Sequence, residues 1–339
     1  MDLLTRIQQF ASVCAAFFAA ACAAVPQQPY VTVDGAMLGT TFHISARTSL
    51  PAGRLYGEMM RIDTAAKASM SVFDPASLLN RLNDNLTDSL DPHIIYNIEL
   101  ARRISRMSGG SYDITVKPRV EAWGFIRSEG QENPDIDSIL AFVGHDKIGI
   151  AEGRLVKSDP RVQIDLNSIA KGYTVDMAAR RLEELGIGDY IVEIGGEIRC
   201  RGCNPRGGDW VVGIDSPYDG NNAPGRSLQM RLALHDMSLA TSGNYRRYRT
   251  DAAGNKVAHT IDPQTGRSSV SRLLSATVIR PECAEADAMS TMFMAMGDRR
   301  AMELVRRADT LAVCFIFDDG CGGFETYCSP AARKLLKSE

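Results

Sequence analysis

Beyond Tyr30 the sequence mixes amphipathic helical stretches with many short strand-like runs in no regular order, and no first strand leads through a glycine-rich turn into a helix. This irregular order is the strongest constraint on the fold. A doubly wound dinucleotide-binding sheet needs repeated strand–helix–strand units with a phosphate-binding turn after the first strand. Such a sheet is therefore not expected. Val31-Thr32-Val33, then Gly35, then Thr41-Phe42-His43-Ile44-Ser45 alternate in polarity and predict a β-hairpin. A helix is predicted from Arg54 to Ala68, then a turn-rich segment from Met70 to Asn83 holding a short helix over Ser77 to Asn83. Ile94, Ile98, Ala101 and Ile104 recur at helical spacing, so Ile94 to Met107 reads as an amphipathic helix that Gly109-Gly110 ends. No internal repeat, low-complexity tract or long linker interrupts this part, and the length of 339 residues leaves one or two domain-sized units open.

The start of the chain reads differently. From Phe10 to Val25 every residue except Ser12 is apolar or small. This run of about 16 residues is shorter than the roughly 20 that span a bilayer as a helix. It follows Arg6 and reads as the apolar centre of a secretory signal. Ala19-Ala20-Ala21-Cys22 resembles a bacterial lipobox, in which the cysteine is acylated and becomes the new N-terminus; plain cleavage at an Ala-x-Ala site is the alternative. The expected organisation is a signal over 1–22, a tether over 23–29 and a folded part over 30–339, exported and lipid-anchored on a membrane face. Lys+Arg number 38 against 41 Asp+Glu, a net charge of −3, which supplies no basic face for nucleic acid.

Of the 8 cysteines, Cys14 and Cys22 fall in the signal, leaving Cys200, Cys203, Cys283, Cys314, Cys321 and Cys328. An exported chain sits where disulfides persist. Cys200-Arg201-Gly202-Cys203 has CxxC spacing, but no second CxxC follows and the strand-then-helix setting of a thioredoxin motif is missing, so structural thiols are the expectation.

Four segments hold residue types suited to chemistry. In Ile164 to Asp176, apolar residues at Val175, Ala178, Leu182 and Leu185 predict a helix, with Asp165, Asn167 and Ser168 as capping residues. Free amides at that helix start, with Lys171 nearby, form a candidate phosphate cradle; a solvated Lys171 on an ordinary helix is the plainer alternative. Tyr190 to Ile194 is a short strand running into Gly195-Gly196, a pair that permits close backbone approach or marks a bulge. Ala240 to Tyr245 is followed by a hairpin turn near Asp251 to Asn255 and a return strand carrying His259, a candidate proton acceptor near pH 7. Asp287 and Thr291 stand four apart in a helical run from Ala284 to Met296, so their oxygens share one face and suit Mg²⁺. Together these parts fit phosphoryl-type chemistry at a pyrophosphate.

Many ordered segments resemble the ApbE family of FAD:protein FMN transferases. They are Met37-Leu38-Gly39-Thr40, Met70-Ser71-Val72-Phe73 with Ser77 and Asn83, Gly109 to Val116 with Trp123-Gly124-Phe125, and Asp165 to Asp176. Ile194-Gly195-Gly196, Thr241 to Tyr245, His259 to Gly266, and Ala286 to Thr291 with Gly297 complete the set. The resemblance implies an α+β fold with mixed, largely antiparallel sheets and flanking helices, and a flavin cleft between two joined subdomains. It implies transfer of FMN from FAD to a Thr or Ser hydroxyl of an acceptor protein as a phosphoester, with release of AMP and dependence on Mg²⁺. Carried over by motif, FAD contacts fall on Leu38, Phe73, Ser111, Tyr112, Asp113, Asp165, Lys171 and Ile261. Metal contacts fall on the Ser168 carbonyl, Asp287 and Thr291, and His259 and Lys171 take catalytic roles. Ser290 stands where many members carry a second metal-binding Asp, Phe73 replaces a frequent Tyr, and Leu38 a usual Met. The acceptors expected are subunits of membrane redox complexes. The competing activities are an Mg²⁺-dependent FAD pyrophosphatase giving FMN and AMP, and a non-catalytic FAD-binding lipoprotein.

Overall fold

A computed structural model describes residues 28–122, 136–218, 227–243, 248–250, 256–258 and 271–337. The first strands, β1 (Tyr30–Met37) and β2 (Thr40–Arg47), pair antiparallel with Met37 opposite Thr40. The two-residue turn between them places Leu38 at φ 51° and Gly39 at φ 74°. Such a turn matches the twist of its strands but requires left-handed backbone at both positions, which strains Leu38. β5 (Tyr190–Ile194) and β6 (Glu197–Arg201) form a second hairpin through Gly195-Gly196. β9 (Ser238–Gly243), β12 (Leu273–Arg280), β13 (Ala312–Asp318) and β14 (Phe324–Cys328) complete an eight-stranded sheet of order β1-β2-β5-β6-β9-β12-β13-β14. Every ladder within it is antiparallel. Three two-stranded ribbons stand apart: β3 (Ile148–Ala151) with β4 (Arg154–Lys157), β7 (Trp210–Asp215) with β8 (Leu228–Leu234), and β10 (Tyr248–Thr250) with β11 (Lys256–Ala258).

Helices cover one face of the sheet. α1 (Ala52–Met70) buries Leu55, Met59, Ile62 and Ala66, one helical stripe. α2 (Leu78–Asn83) is the short helix expected, capped by Ser77, whose hydroxyl accepts from Asn80 N at 3.1 Å. α3 (Pro92–Met107) buries the expected Ile94, Ile98, Ala101 and Ile104, and Asp91 caps it by accepting from Ile94 N at 2.8 Å. Two short helices, α4 (Lys117–Ala122) and α5 (Ile136–Leu140), precede α6 (Ala170–Glu184) and α7 (Cys283–Arg307). α7 is two helical runs joined across a break at Gly297, with φ 72° and ψ 174°, so the first run ends at Met296 as expected and a second continues to Arg307. α8 (Pro330–Arg333) closes the described chain.

Strand alternation divides the core. Ala240, Ala276, Val278, Val313 and Phe315 face α3 and α7, while Phe42, Ile44, Val192 and Ile194 face α1 and α6. Their neighbours Leu239, Ile279, Cys314 and Ile316 point to the opposite face, where Trp210, Val212, Leu232 and Leu234 of the β7–β8 ribbon cover them. The result is helices, sheet and ribbon in three layers, an α+β arrangement of the class expected. Among the described residues no helix is long and apolar enough to cross a membrane.

Candidate active site

Two loops meet beside the start of α6. Asp165 N donates to Ile114 O at 2.7 Å, joining the segment after α3 to the segment before α6. Asn83 locks the second loop from behind: its Nδ2 donates to Ile164 O at 2.9 Å and its Oδ1 accepts from Ile164 N at 2.7 Å. The Tyr112 and Ser168 hydroxyls lie 2.9 Å apart, a third link. Ser111-Tyr112-Asp113 and, much later in the sequence, Asp165 and Ser168 are thereby gathered in one place.

Each of these side chains is constrained. Asp113 Oδ1 accepts from Thr115 N and from Thr115 Oγ1, both at 2.7 Å. Asp165 Oδ1 accepts from Asn167 N at 2.8 Å. Burial pushes both carboxyls above the ordinary range despite these bonds. Burial likewise pushes the Tyr112 phenol up, so it stays protonated. Ser111 Oγ is buried with no hydrogen-bond partner among the described residues.

The start of α6 departs from the sequence reading in two ways. Its N-cap is Ile169, without a side-chain bond, because Asp165 and Ser168 are engaged with Asn167 and Tyr112 instead of the helix amides. Nor is it an open cradle. Ala170 N donates to Leu166 O and Tyr173 N to Ile169 O, while Gly172 N donates to Asp287 Oδ2 at 3.1 Å. That diversion matters for Ser168, since no described amide donates to its carbonyl. Lys171 is not an uncommitted cation: it is part-exposed, and its ammonium pairs with the buried Glu197 of β6. Burial works against the Lys171 charge, but Glu197 and then Asp287 outweigh it and raise its pKa.

Asp287 comes from α7, which packs against α6 at backbone contact. A Cβ on Gly172 would lie 2.6 Å from Cys283 O and 2.8 Å from Asp287 Cβ, so only glycine permits this approach. Gly195 serves the same site from the β5–β6 turn: at φ 61°, a Cβ there would meet Thr40 at 2.8 Å and Lys171 Cδ at 3.3 Å. Burial first, and the Glu197 charge second, push Asp287 up to about 7, against the pull of Lys171 and the Gly172 amide. Asp287 is thus buried between helices, unlike a residue on a solvated polar face. One turn on, Thr291 Oγ1 lies 3.1 Å from Ser242 Oγ of β9. Ser290, the position that lacks the second carboxylate, lies 2.8 Å from the same Ser242 Oγ and donates to Asp287 O at 2.9 Å.

Sequence reasoning missed the residues that hold this arrangement. Asp176, fully buried on α6, accepts from Cys283 N at 3.0 Å and Ala284 N at 2.9 Å, and so caps α7 from a neighbouring helix. Arg199 of β6 completes it at 2.6 Å. Asp63 of α1 accepts from Leu38 N at 2.8 Å and steadies the strained first turn, where Leu38 packs against both helix-side cores. Two signals were available, Glu197 directly after the glycine pair and Asp176, which closes the resembling segment but was given no role; Asp63 and Arg199 are invisible to spacing. Phe73, 67% exposed as a residue, stands in a turn pinned by Ser71 and Asn80. His259, Ile261 and Cys22 lie outside the described residues, as do Trp123 to Phe125, Asn244 and Tyr245.

The Ser168 carbonyl ahead of α6 and the Asp287 carboxylate and Thr291 hydroxyl of α7 are hard oxygen donors of the kind Mg²⁺ prefers. Among the described residues no three His, Cys, Asp or Glu side chains cluster as a metal site, so a metal here would rely on carbonyl, hydroxyl and ligand oxygens around Asp287.

The sequence profile of the ApbE family matches residues 38–315. The FAD:protein FMN transferase of Haemophilus influenzae is 33% identical over 327 residues, covering 91% of this chain and 92% of the relative. That of Escherichia coli K12 is 34% identical over 348 residues, 96% of each chain. Among solved structures, the flavin transferase ApbE from Vibrio cholerae superposes with a TM-score of 0.80 at 30% identity, covering 91% of this chain and 99% of that one.

Proposed function

The chain belongs to the ApbE family, and from that membership we propose the reaction its site carries out. It is a transferase that moves FMN from FAD to an acceptor protein. The single observation that carries this is near-full-length similarity to FAD:protein FMN transferases, on a fold of the same kind.

The finer chemistry is our reading. The acceptor group is a Thr or Ser hydroxyl, its product a phosphoester, and AMP leaves. Phe73 offers a preset ring face to the isoalloxazine, and Leu38, Ser111, Tyr112, Asp113, Asp165 and Ile261 line the FAD site. Ser111 Oγ, buried without a described partner, has hydrogen-bonding capacity for the substrate. The Ser168 carbonyl, Asp287 and Thr291 would hold Mg²⁺. Bound there, the ion would offset charge on the diphosphate oxygens and ease the departure of AMP. Lys171 is kept protonated by Glu197 and Asp287, so its positive charge persists across the working pH range beside the phosphates. His259 would take the proton from the incoming hydroxyl. The chain is exported and anchored through lipid on Cys22 to a bacterial membrane facing the periplasm, where subunits of membrane redox complexes are its acceptors.

The test incubates the full chain with FAD, with and without Mg²⁺, and with a Thr-bearing acceptor peptide. An FMN phosphoester mass on the peptide with AMP released only when Mg²⁺ is present supports the reading. FMN and AMP without peptide modification identify a pyrophosphatase, and unchanged FAD a binding protein. Loss of fatty-acid labelling on Cys22→Ala would support the anchor; labelling that persists would refute it.

A further inference from the structure

The six cysteines of the described part are free thiols, and two of them face each other directly. Cys314 of β13 and Cys328 of β14 are Cα partners in the antiparallel ladder, with their Sγ atoms 2.7 Å apart. The adjoining pair, Val313 and Ser329, carries a ladder bond, Ser329 N donating to Val313 O at 2.9 Å. Bonded and non-bonded pairs alternate in such ladders, so Cys314 and Cys328 occupy a non-bonded place, where Cα atoms approach to about 4.5 Å. A disulfide bridges Cα separations of about 4.4–6.8 Å, so no backbone movement is needed. Cys203 and Cys321 have no such partner: Cys321 is exposed in the β13–β14 turn and Cys203 lies beyond the end of β6.

We propose that Cys314 and Cys328 are a thiol pair that closes to a disulfide, stapling the edge strand β14 to β13. The inference rests on this geometry and is independent of the functional reading. Among the described residues β14 ends the sheet and pairs in it with β13 alone, the place where an edge strand frays. Both thiols belong to the core under the β7–β8 ribbon, with Met230 Sδ 3.8 Å from Cys328 Sγ, on the sheet face away from α7. Closing the pair therefore leaves the candidate active site untouched.

The oxidant is a disulfide, either oxidised glutathione or the disulfide of a dithiol oxidoreductase. The Cys328 thiolate is the nucleophile: the hydrogen bond from Cys314 lowers its pKa, burial opposes this, and Arg333 adds to the lowering, while Cys314 is pushed up. Cys328 attacks one glutathione sulfur and expels the first glutathione thiolate. The Cys314 thiolate then attacks Cys328 Sγ of the mixed disulfide and expels the second. Two electrons and the two thiol protons pass from the pair to glutathione, giving one protein disulfide and two glutathione thiols.

The test purifies the full chain reduced, exposes half to oxidised glutathione, and alkylates both halves under denaturing conditions. Oxidation should remove two alkylatable thiols and two hydrogens from the intact mass, with peptide mapping placing the link between Cys314 and Cys328. Cys328→Ser and Cys314→Ser should each abolish the change, while Cys203→Ser should not. The staple closes a loop of about 15 residues, so the oxidised wild type should melt several degrees above the reduced form. Full alkylation of both cysteines after oxidation, or a link mapped to any other cysteine, overturns the pairing. Equal melting of the two forms overturns the stapling, and FMN transfer that falls on oxidation overturns its separation from the site.

Discussion

Removing the Asp176 carboxylate should loosen the start of α7 and, with it, the placement of Asp287 and Thr291. Asp176 is fully buried and accepts from two backbone amides, Cys283 N at 3.0 Å and Ala284 N at 2.9 Å, and from Arg199 at 2.6 Å. Asp176→Ala removes a helix cap worth about 1 kcal/mol. It also strands buried donors, each costing about 1–3 kcal/mol when left unpaired. Arg199 keeps Glu183 and Glu282 within 3.9 Å, so the guanidinium is not wholly abandoned. The total for Asp176→Ala is then about 3–5 kcal/mol, the range for breaking a buried pair. Asp176→Asn separates geometry from charge. Burial pushes the Asp176 pKa up, against the Ala284 and Cys283 amides and Arg199, so the ionised form is on balance disfavoured in the fold. A raised carboxyl pKa means protonation does not destabilise the fold, and Asn, which keeps one oxygen, should cost only about 1–2 kcal/mol. Urea unfolding with a constant slope, paired with Mg²⁺-dependent FMN transfer, measures both effects. Asp176→Ala within about 1 kcal/mol of the wild type would refute the capping argument, as would Asn costing as much as Ala.

Three further outcomes are expected. Gly172→Ala drives a methyl to 2.6 Å from Cys283 O and should cost about 1–3 kcal/mol with loss of turnover, read by urea midpoint and FMN transfer; an unchanged midpoint would contradict the close helix contact. With Asp287 pushed up to about 7, its proton would compete with Mg²⁺ at the ion site proposed above, so the Mg²⁺ concentration for half-maximal transfer should rise about tenfold per pH unit below 7 and level off above it. A flat profile between pH 5 and 7 would remove Asp287 from the ion's ligands. Phe73→Ala should leave thermal stability within about 0.5 kcal/mol, since the residue is exposed, yet raise the FAD concentration needed for half-maximal rate; Phe73→Tyr should restore it.

Local elements were legible because their causes are local. The first hairpin, α2 with its Ser77 cap, and α3 with its apolar stripe and its stop at Gly109-Gly110 all follow from interactions between residues a few positions apart, whereas Gly195-Gly196, read as a close approach or a bulge, is the turn of the β5–β6 hairpin. Where a polar residue had a tertiary competitor, the local reading failed. Asp165, Asn167 and Ser168 have cap chemistry, but Ser168 is drawn to Tyr112, distant in sequence, and Asp165 accepts from Asn167 N within its own loop, leaving α6 with Ile169 as its N-cap. Lys171 likewise reads as a solvated or phosphate-facing cation until the β5–β6 hairpin brings Glu197 against it.

By itself, then, the amino-acid order located the first hairpin, the helices over Arg54 to Ala68, Ile94 to Met107 and the run after Lys171, and the strand before Gly195. It also excluded a doubly wound sheet and marked Asp287 with Thr291 as a paired oxygen face, but it did not locate β13, β14 or the β7–β8 ribbon. Folding alone decided what those oxygens meet. Gly172 reaches Asp287 across 115 positions and Asp176 reaches Cys283 across 107, contacts that no periodicity encodes. The reason is physical. Backbone propensity acts over one or two turns, whereas the partner of a carboxylate, and the desolvation that sets its proton affinity, depend on which distant surfaces the hydrophobic core presses together.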